Sequence, residues 1–506
     1  MKTTFAKSRA FVAPFLAAVA ASGAVVAFST GADGSPRPPL AWRFCAQGPD
    51  DTTGKALDKA GARCAELTVP LDHSRPGGRT IKLALSRIAA TDRAHRIGAL
   101  VLNNGGPGQS TLEMPLETRA AMKGLAARYD IIGLDPRFVG RSTPLDCGWP
   151  VGMWLRSPGA TRAGFDRQVA VQRDLAERCA KRYADVLPYV NTRDTARDID
   201  LVRRALGERR ISFLGVSYGG YLGAVYTQMF PGRTDRVVLD SAGDPGKWGA
   251  RAMRGTEDEA ERALRGWAAW AAKRHGTYGL GTTPARVLAT ADSIVKAAGR
   301  RPLRVGSYRV DDQLVPYILY VGSGDDRPEA RAGFSATVRT LNQAAHGRPA
   351  APGPELAGML AFTLTSAGSP LASPAAAITC GDRAVSGDPA AYWNDIQRSR
   401  ARHPLFGPLK NNLWPCAFWP VKPREPITRV ANGTPALIVS ATGDTATTYK
   451  GARAMHRALT GSRLITLRGV TGHGIYGEYG NACVEAEVNA YLATGDLPAA
   501  DQTCRP

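Results

Sequence analysis

The stretch that decides the fold is residues 211–230, ISFLGVSYGGYLGAVYTQMF. Residues 211–216 form a short apolar run typical of a buried parallel strand, and residues 221–230 form an apolar helical segment. Between them, residues 215–219 have the pattern G-x-S-x-G. Such a turn from strand to helix is tight, so the residues two positions before and two positions after the serine must have almost no side chain. The turn holds the serine at the carboxyl edge of a sheet, beside the N-terminus of a helix. The stretch therefore predicts that Ser217 is a nucleophile.

The sequence on both sides of this stretch continues the pattern of short strands and helical segments. Residues 65–90 alternate apolar and polar side chains, which predicts an antiparallel pair of strands. Continuous apolar runs follow at residues 97–103, 129–135, 211–216, 236–240, 435–440 and 463–468. Buried strands that alternate with helices indicate an α/β fold with a mostly parallel sheet. Residues 246–430 lack such runs and contain helical stretches, so we predict a large, mostly helical insertion at the mouth of the site.

A nucleophilic serine needs a base, because its hydroxyl is a weak nucleophile at neutral pH. On this strand–turn–helix framework the order along the chain is serine, acid, histidine. His473 fits the base, since it lies in a loop of small residues directly after the last apolar run. Asp444 fits the acid, since it follows the run before that one, and Asp240, at the end of the fourth run, is the alternative. The sequence thus predicts a triad of Ser217, Asp444 and His473.

A glycine-rich loop, NNGGPG, follows the first apolar run at residues 103–108. Acyl transfer requires backbone N–H groups aimed at the developing oxyanion. Hydrolases with this turn take one N–H from such a loop and one from the residue after the nucleophile. The predicted oxyanion donors are therefore the amides of Gly105 and Tyr218, with Gly106 as the alternative to Gly105.

The charge of the chain is strongly basic but evenly spread. The 506 residues include 65 Lys and Arg against 44 Asp and Glu, a net charge of +21. The basic residues form no run of the kind that nucleic-acid-binding tails contain. We therefore expect no nucleic-acid partner.

The N-terminus has the pattern of a secretory signal peptide. Three basic residues precede an apolar stretch at residues 11–28, and small residues follow it. A transmembrane anchor is the alternative, but the stretch is rich in Ala and interrupted by Pro and Gly. We predict a cleaved signal peptide at residues 1–32 and a linker at residues 33–41. The protein would then be secreted, with no membrane attachment after cleavage.

The eight cysteines fall into pairs that are local in sequence. An exported protein meets an oxidising compartment, in which disulfides form. The predicted pairs are Cys45–Cys64, Cys147–Cys179, Cys380–Cys416 and Cys483–Cys504. Metal binding is the alternative, but the chain has no C-x-x-C motif and no paired histidine spacing. We expect no metal and no other cofactor.

Several segments of the chain match one family together. They are NGGPGQS at residues 104–110, DPRFVGRS at 135–142, GVSYGG at 215–220, AITCGD at 377–382, PCAFWP at 415–420, GD at 443–444 and GH at 472–473. With these segments the chain resembles the secreted tripeptidyl aminopeptidases of actinobacteria, a branch of the proline iminopeptidase-like α/β-hydrolases. Phe138 stands where that family usually has glycine, which alters the local turn but removes no catalytic group.

The resemblance implies an α/β-hydrolase fold with a mostly parallel sheet and a large, mostly helical insertion, the cap. The core would span residues 42–245 and 431–506, and the cap would span residues 246–430. The implied activity is the release of short peptides, tripeptides above all, from free N-termini of peptides or proteins, by the triad already predicted. We expect a monomer. A secreted esterase is the alternative, because G-x-S-x-G alone does not separate the two activities.

An aminopeptidase must also recognise a free ammonium, for which a carboxylate is the natural partner. Glu257, Glu259 and Glu261 cluster at the start of the insertion, and Asp382 lies beside Cys380. We predict Glu257 or Asp382 as the ammonium ligand. The ordinary alternative for such an acidic run is a solvated helix face.

Overall fold

A nine-stranded sheet is the centre of the protein in a computed structural model, which describes residues 40–506. The predicted signal peptide, residues 1–32, and residues 33–39 of the predicted linker lie outside the described residues. The strands of this sheet are β1 (Arg63–Pro70), β2 (Thr80–Ile88), β3 (Gly98–Asn103), β4 (Tyr129–Leu134), β5 (Ile211–Val216), β6 (Thr234–Asp240), β9 (Ala436–Ala441), β10 (Ser462–Leu467) and β11 (Gln502–Cys504). A separate hairpin consists of β7 (Leu303–Val305) and β8 (Tyr308–Val310).

The strand order of the large sheet is β1-β2-β4-β3-β5-β6-β9-β10-β11. The pairs β1–β2 and β2–β4 are antiparallel, and every other neighbouring pair is parallel. The expected α/β fold with a mostly parallel sheet is confirmed, and so is the antiparallel pair within residues 65–90. Strand β11 was not predicted, because three residues, only one of them buried, are too short to show a strand pattern.

Successive residues of the central strands enter two different hydrophobic cores. In β6, Val237 and Leu239 belong to one core and Val238 belongs to the other. Because neighbouring side chains of a strand point to opposite faces, helices must cover both faces of the sheet. The helices are α1 (Thr52–Lys59), α2 (Met114–Met122), α3 (Arg162–Tyr183), α4 (Thr192–Ala205), α5 (Tyr218–Met229), α6 (Glu257–Ala272), α7 (His275–Tyr278), α8 (Pro284–Arg300), α9 (Val315–Gly322), α10 (Pro328–Ala345), α11 (Pro354–Leu364), α12 (Ser369–Asp382), α13 (Pro389–Arg400), α14 (Phe406–Asn411), α15 (Tyr449–Ala458) and α16 (Ala482–Thr494).

The chain between β6 and β9 adds no strand to the large sheet. It contains helices α6 to α14 and the hairpin β7–β8. Much of it packs around a core of its own, in which the ring of Trp267 lies tilted against that of Phe334 with centroids 4.4 Å apart. The expected large, mostly helical insertion is therefore present, and its predicted limits at residues 246 and 430 stay predictions.

Four disulfides join the cysteines in the predicted pairs, and residues 40–506 contain no free cysteine. One of them, Cys380–Cys416, ties the end of α12 to the short turn Pro415–Phe418. Closing loops of this length stabilises a fold by about 3 kcal/mol per bridge in the chain-entropy description. In the same residues, no helix is both long and apolar enough to cross a membrane.

Candidate active site

Ser217 lies on the turn between β5 and α5. Its φ of 59° and ψ of −118° are values that residues with a side chain rarely adopt. The flanking glycines are required by space: a Cβ on Gly215 would lie 2.3 Å from the carbonyl oxygen of Gly219, and a Cβ on Gly219 would lie 2.5 Å from that of Asn103. The Ser217 amide donates to the Asp240 carbonyl at 2.9 Å, which ties the turn to the end of β6. The turn therefore holds the serine at the carboxyl edge of the sheet.

The glycine-rich loop after β3 packs directly against this turn. A Cβ on Gly105, whose φ is 88°, would lie 2.4 Å from the carbonyl oxygen of Val216 and 3.4 Å from the nitrogen of Tyr218. The Gly105 amide donates to Asn103 Oδ1 at 3.2 Å. Among residues 40–506, no acceptor binds the amides of Gly106 and Tyr218. An oxyanion hole needs two unpaired N–H groups beside the nucleophile. Of the two glycines predicted for this role, Gly106 has the unpaired amide, whereas the amide of Gly105 already has an acceptor. The role of either glycine stays a prediction.

The segment at residues 135–142 supports the glycine-rich loop from behind. Asp135 Oδ1 accepts hydrogen bonds of 2.7 Å from both the Ser110 hydroxyl and the Thr111 amide. Phe138, in the same segment, is buried and has a φ of 68°. This left-handed conformation favours glycine, which fits the glycine expected at this position from the family resemblance. The hydrogen bonds from Asp135 to the glycine-rich loop are present despite the phenylalanine.

The side chains of Asp444 and His473 meet at the same edge of the sheet. His473 Nδ1 lies 2.9 Å from Asp444 Oδ2, and the Asp444 side chain is completely buried. The amides of Ala446 and Thr447 donate to Asp444 Oδ1 at 2.8 and 2.9 Å, and the Thr447 hydroxyl lies 2.9 Å from Oδ2. These contacts hold the carboxyl group of Asp444 against Nδ1 of the imidazole and leave Nε2 of the ring free to act as a base.

Asp240, the alternative acid, is also buried, but it accepts hydrogen bonds from backbone amides and not from the imidazole. One of its oxygens accepts 2.7 Å hydrogen bonds from the amides of Ile475 and Tyr476, and the other accepts one from the Ser241 hydroxyl at 3.0 Å. Burial raises its pKa to about 6 in spite of these donors. Asp240 therefore fixes the loop that follows His473, and of the two predicted acids only Asp444 contacts the ring.

The loop that carries His473 packs against the serine turn. A Cβ on Gly474 would lie 3.5 Å from Val216 Cγ1, next to Ser217 in the chain. No hydrogen bond within residues 40–506 joins the Ser217 hydroxyl to His473. Bonds between a catalytic serine and its base are often long in unliganded enzymes and shorten when substrate binds.

A cavity of 380 Å³ opens beside Ser217. Its wall is mostly apolar and aromatic, with Met153, Trp154, Leu155, Tyr221, Trp248, Met253, Tyr317, Tyr320 and Trp414 among the lining residues. Trp248 stacks on Tyr221 with ring centroids 4.9 Å apart. Among the described residues that line this cavity, Asp244 is the one carboxylate, and it is half-buried, whereas the lysines of the wall, Lys247 and Lys450, are exposed.

Comparisons with known proteins identify the family of this chain. A family described as "alpha/beta hydrolase fold" matches residues 98–319, and one described as "TAP-like protein" matches residues 404–504. The tripeptidyl aminopeptidase of Streptomyces coelicolor is 35% identical over 463 residues, which cover 88% of this chain and 83% of that protein. The chain belongs to the tripeptidyl aminopeptidase-like α/β-hydrolases.

Other relatives of this chain are named for different activities. The serine protease Hip1 of Mycobacterium tuberculosis is 30% identical, with 88% of this chain and 87% of that protein covered. A protein of the same organism named carboxylesterase B is also 30% identical, with 93% and 90% covered. The α/β-hydrolase described here is a serine hydrolase of the aminopeptidase type, as the sequence predicted.

The electrostatics of the hydrolase favour a charged imidazole at neutral pH. Burial of His473 lowers its pKa, but the negative charge and hydrogen bond of Asp444 outweigh that effect, and the pKa is raised to about 8. A general base must be neutral to accept the serine proton. The base form of His473 is therefore fully populated only above the pKa of the ring.

The pH profile of the hydrolase follows from this pKa. We expect kcat/KM to rise with pH, with a midpoint near 8. At lower pH His473 is protonated and cannot act as a base, so kcat/KM is low there. The measurement is kcat/KM for a chromogenic peptide from pH 5 to 10, beside the NMR titration of His473 in Ser217→Ala. A midpoint near the ordinary histidine value of ~6.5 in both experiments would contradict the coupling to Asp444.

The two predicted ammonium ligands have other partners in the structure. Asp382 accepts from the Thr192 amide at 2.7 Å, the Thr192 hydroxyl at 2.5 Å and Trp248 Nε1 at 2.6 Å, and burial raises its pKa to about 6. Glu257 is buried and accepts from Asn411 Nδ2 at 2.7 Å. Neither carboxylate lies on the wall of the cavity. Asp382 instead fixes Trp248, which does line the cavity.

Two features of the site were not found from the sequence. Thr447 touches both Asp444 and His473, since its hydroxyl lies 3.2 Å from His473 Nδ1. The signal was present, because Asp and Thr three residues apart are typical of a side-chain-capped turn. Asp244, the carboxylate of the cavity wall, follows β6 and gave no signal that set it apart from other loop acids.

Within residues 40–506, no group of three or more His, Cys, Asp or Glu side chains is arranged to hold a metal ion.

Proposed function

We propose that this hydrolase is a secreted serine exopeptidase that releases short peptides, tripeptides above all, from free N-termini through an acyl-enzyme on Ser217. The observation that carries the proposal is the pairing of His473 with buried Asp444 at the edge of the sheet, where Ser217 lines a largely aromatic cavity. The similarity to the Streptomyces tripeptidyl aminopeptidase supports the choice of substrate.

The proposed reaction uses each part of the site in turn. The Ser217 oxygen attacks the carbonyl carbon of the scissile peptide bond, and its proton passes to Nε2 of His473. The negative oxygen of the tetrahedral intermediate is held by the amides of Tyr218 and of Gly105 or Gly106. His473 then gives its proton to the departing amine, and the C–N bond breaks. Water, deprotonated by the same imidazole, releases the short peptide from the serine.

The cavity suits a substrate that enters by its end. Helices and loops of the insertion, including Trp248, Met253 and Tyr320, form much of its wall. A free amino terminus inside such a cavity needs a negative partner, because an unpaired buried ammonium is costly. Asp244 Oδ1 accepts the Gly246 amide at 2.9 Å, and among residues 40–506 no donor binds its other oxygen. Asp244 is therefore our candidate for the ammonium ligand, beside the predicted Glu257 and Asp382.

Secretion is part of the proposal. The signal-like N-terminus predicts export, and the four disulfides suit an oxidising compartment. The substrates would be N-termini of peptides or proteins outside the cytoplasm, and the enzyme would act as a monomer without a cofactor.

Acetylation of the substrate tests the exopeptidase activity. We expect an N-acetylated tripeptide substrate to be cut at least ~10-fold more slowly than the free one, because a lost charge-assisted hydrogen bond costs ~1.5–3 kcal/mol. Asp244→Asn should bring the two rates close together by slowing only the free peptide. Asp382→Asn and Glu257→Gln are the matched variants and should keep the ratio of the wild type.

Two results would change this proposal. A collapse of the ratio in Asp382→Asn or Glu257→Gln, with Asp244→Asn unaffected, would restore the predicted ligand and exclude Asp244. Equal rates on free and blocked peptides, or fast cleavage of short acyl esters without peptide cleavage, would favour the esterase function that the carboxylesterase B relative suggests.

A further inference from the structure

A second concave surface lies in the insertion, and it shares no lining residue with the catalytic cavity. We call it the arginine groove: a depression of 1190 Å³ between the C-terminal end of α8, the hairpin β7–β8 and the segment after α10. The arginines that line it are Arg300, Arg301, Arg304, Arg309 and Arg348. No acidic residue is part of its described lining.

These arginines differ from many others on the surface of the protein. Arg162, Arg178 and Arg398 each form an ion pair with an aspartate one helical turn away. None of the arginines of the groove has a carboxylate within 4.0 Å or a side-chain hydrogen bond in residues 40–506. All of them are exposed, so their positive charges add up around one depression.

Two of these charges face each other across the hairpin. Arg304 of β7 and Arg309 of β8 are directly opposed in the antiparallel register. Like charges in this position destabilise a strand pair. The negative C-terminal end of the α8 dipole stabilises the positive charges of Arg300 and Arg301. The two arginines of the hairpin lie on strands and not at the end of a helix. A bound anion between the two guanidinium groups would remove the repulsion.

The walls of the groove restrict the kind of anion. The hairpin turn is tied to the opposite wall, because the Gly306 amide donates to the Ala350 carbonyl at 2.8 Å. Within residues 40–506, the other residues that line the groove are Ala, Gly, Pro and Leu. None of them is an aromatic residue on which a nucleobase would stack. Guanidinium groups bind phosphate oxygens in a bidentate manner and hold them better than an ammonium does.

We propose that the arginine groove is an exosite for an anionic polymer whose charges are phosphate groups and which carries no nucleobases. It would hold the enzyme on an anionic matrix while the catalytic cavity stays open to peptide ends. The proposal does not depend on the identity of the peptide substrate.

Long-chain inorganic polyphosphate is the probe for a binding experiment with the full chain. We expect wild-type protein to bind labelled polyphosphate in an anisotropy titration, with affinity that falls steeply as salt rises. The triple variant Arg304→Gln, Arg309→Gln, Arg348→Gln should bind at least ~10-fold more weakly and with a shallower salt dependence, because three phosphate contacts are lost. The variant should cut a short peptide at the wild-type rate.

A matched variant controls for overall charge. Arg453, Arg457 and Arg468 are exposed and lie outside the groove, and their triple change to Gln removes the same charge. This variant should keep its affinity for polyphosphate within about threefold, since it loses no groove contact. Polyphosphate should also raise the Tm of wild type and of this control, but not that of the groove variant.

Three results would overturn the proposal. One is equal loss of affinity in both triple variants, which would mean attraction by net charge alone. Another is the absence of wild-type binding at low salt. The third is groove-dependent binding of duplex DNA without binding of polyphosphate, which would make the partner a nucleic acid.

Discussion

Replacement of Ser217 by alanine is expected to lower kcat by at least ~10³-fold with little change in KM, because it removes the atom that forms the acyl-enzyme and leaves the cavity intact. Alanine fits the turn as serine does, since the strain there belongs to the backbone. Initial rates on a chromogenic tripeptide measure the effect, and thermal unfolding checks that the fold is retained.

A covalent probe gives an independent reading of the same residue. A fluorophosphonate should label wild-type protein at Ser217 and should not label Ser217→Ala. The exposed Ser293, on α8, supplies a matched Ser→Ala control that should be labelled and active like the wild type. Labelling that persists in Ser217→Ala would place the nucleophile elsewhere.

Replacement of Asp444 by asparagine is expected to cost about 10⁴-fold in kcat, because the amide would stabilise the wrong tautomer of the imidazole. His473 Nδ1 lies 2.9 Å from Oδ2 of Asp444. An asparagine NH₂ there would donate to Nδ1 and move the proton of the ring to Nε2, which must be free to act as the base. Residual activity should have its acid limb at a lower pH, since the charge that raises the pKa of His473 is gone.

Asp240→Asn is the matched comparison, because both aspartates are buried at the end of neighbouring strands. Asp240 binds backbone amides and the Ser241 hydroxyl, so we expect a smaller loss of activity together with a lower Tm. The opposite ranking, an inactive Asp240→Asn and an active Asp444→Asn, would identify Asp240 as the acid.

The sequence predicted those parts of the fold and site that are encoded by neighbouring residues. The strands show as apolar runs because their residues are buried on both faces of the sheet. The turn at Ser217 shows as paired glycines because Gly215 and Gly219 leave no room for a Cβ. The acid and the base could be chosen because each directly follows its strand, and their contact in the structure agrees with that choice.

Features that depend on distant contacts could not be predicted in this way. Asp382 is bound by Thr192, which lies 190 residues away, so nothing near Asp382 in the sequence shows that its oxygens are occupied. The hairpin β7–β8 has strands of only three residues each, too short for an alternating pattern.

The insertion between β6 and β9 also sets the order in which the working parts are synthesised. Ser217 is made before the insertion, whereas Asp444 and His473 are made after it, and they reach the serine only when β9 pairs with β6. A nascent or truncated chain that ends anywhere in the insertion carries the serine without its base. The predicted triad therefore cannot form until the chain beyond the insertion has been added and folded as far as His473. This order is a safeguard of the kind that other proteases obtain from a removable propeptide.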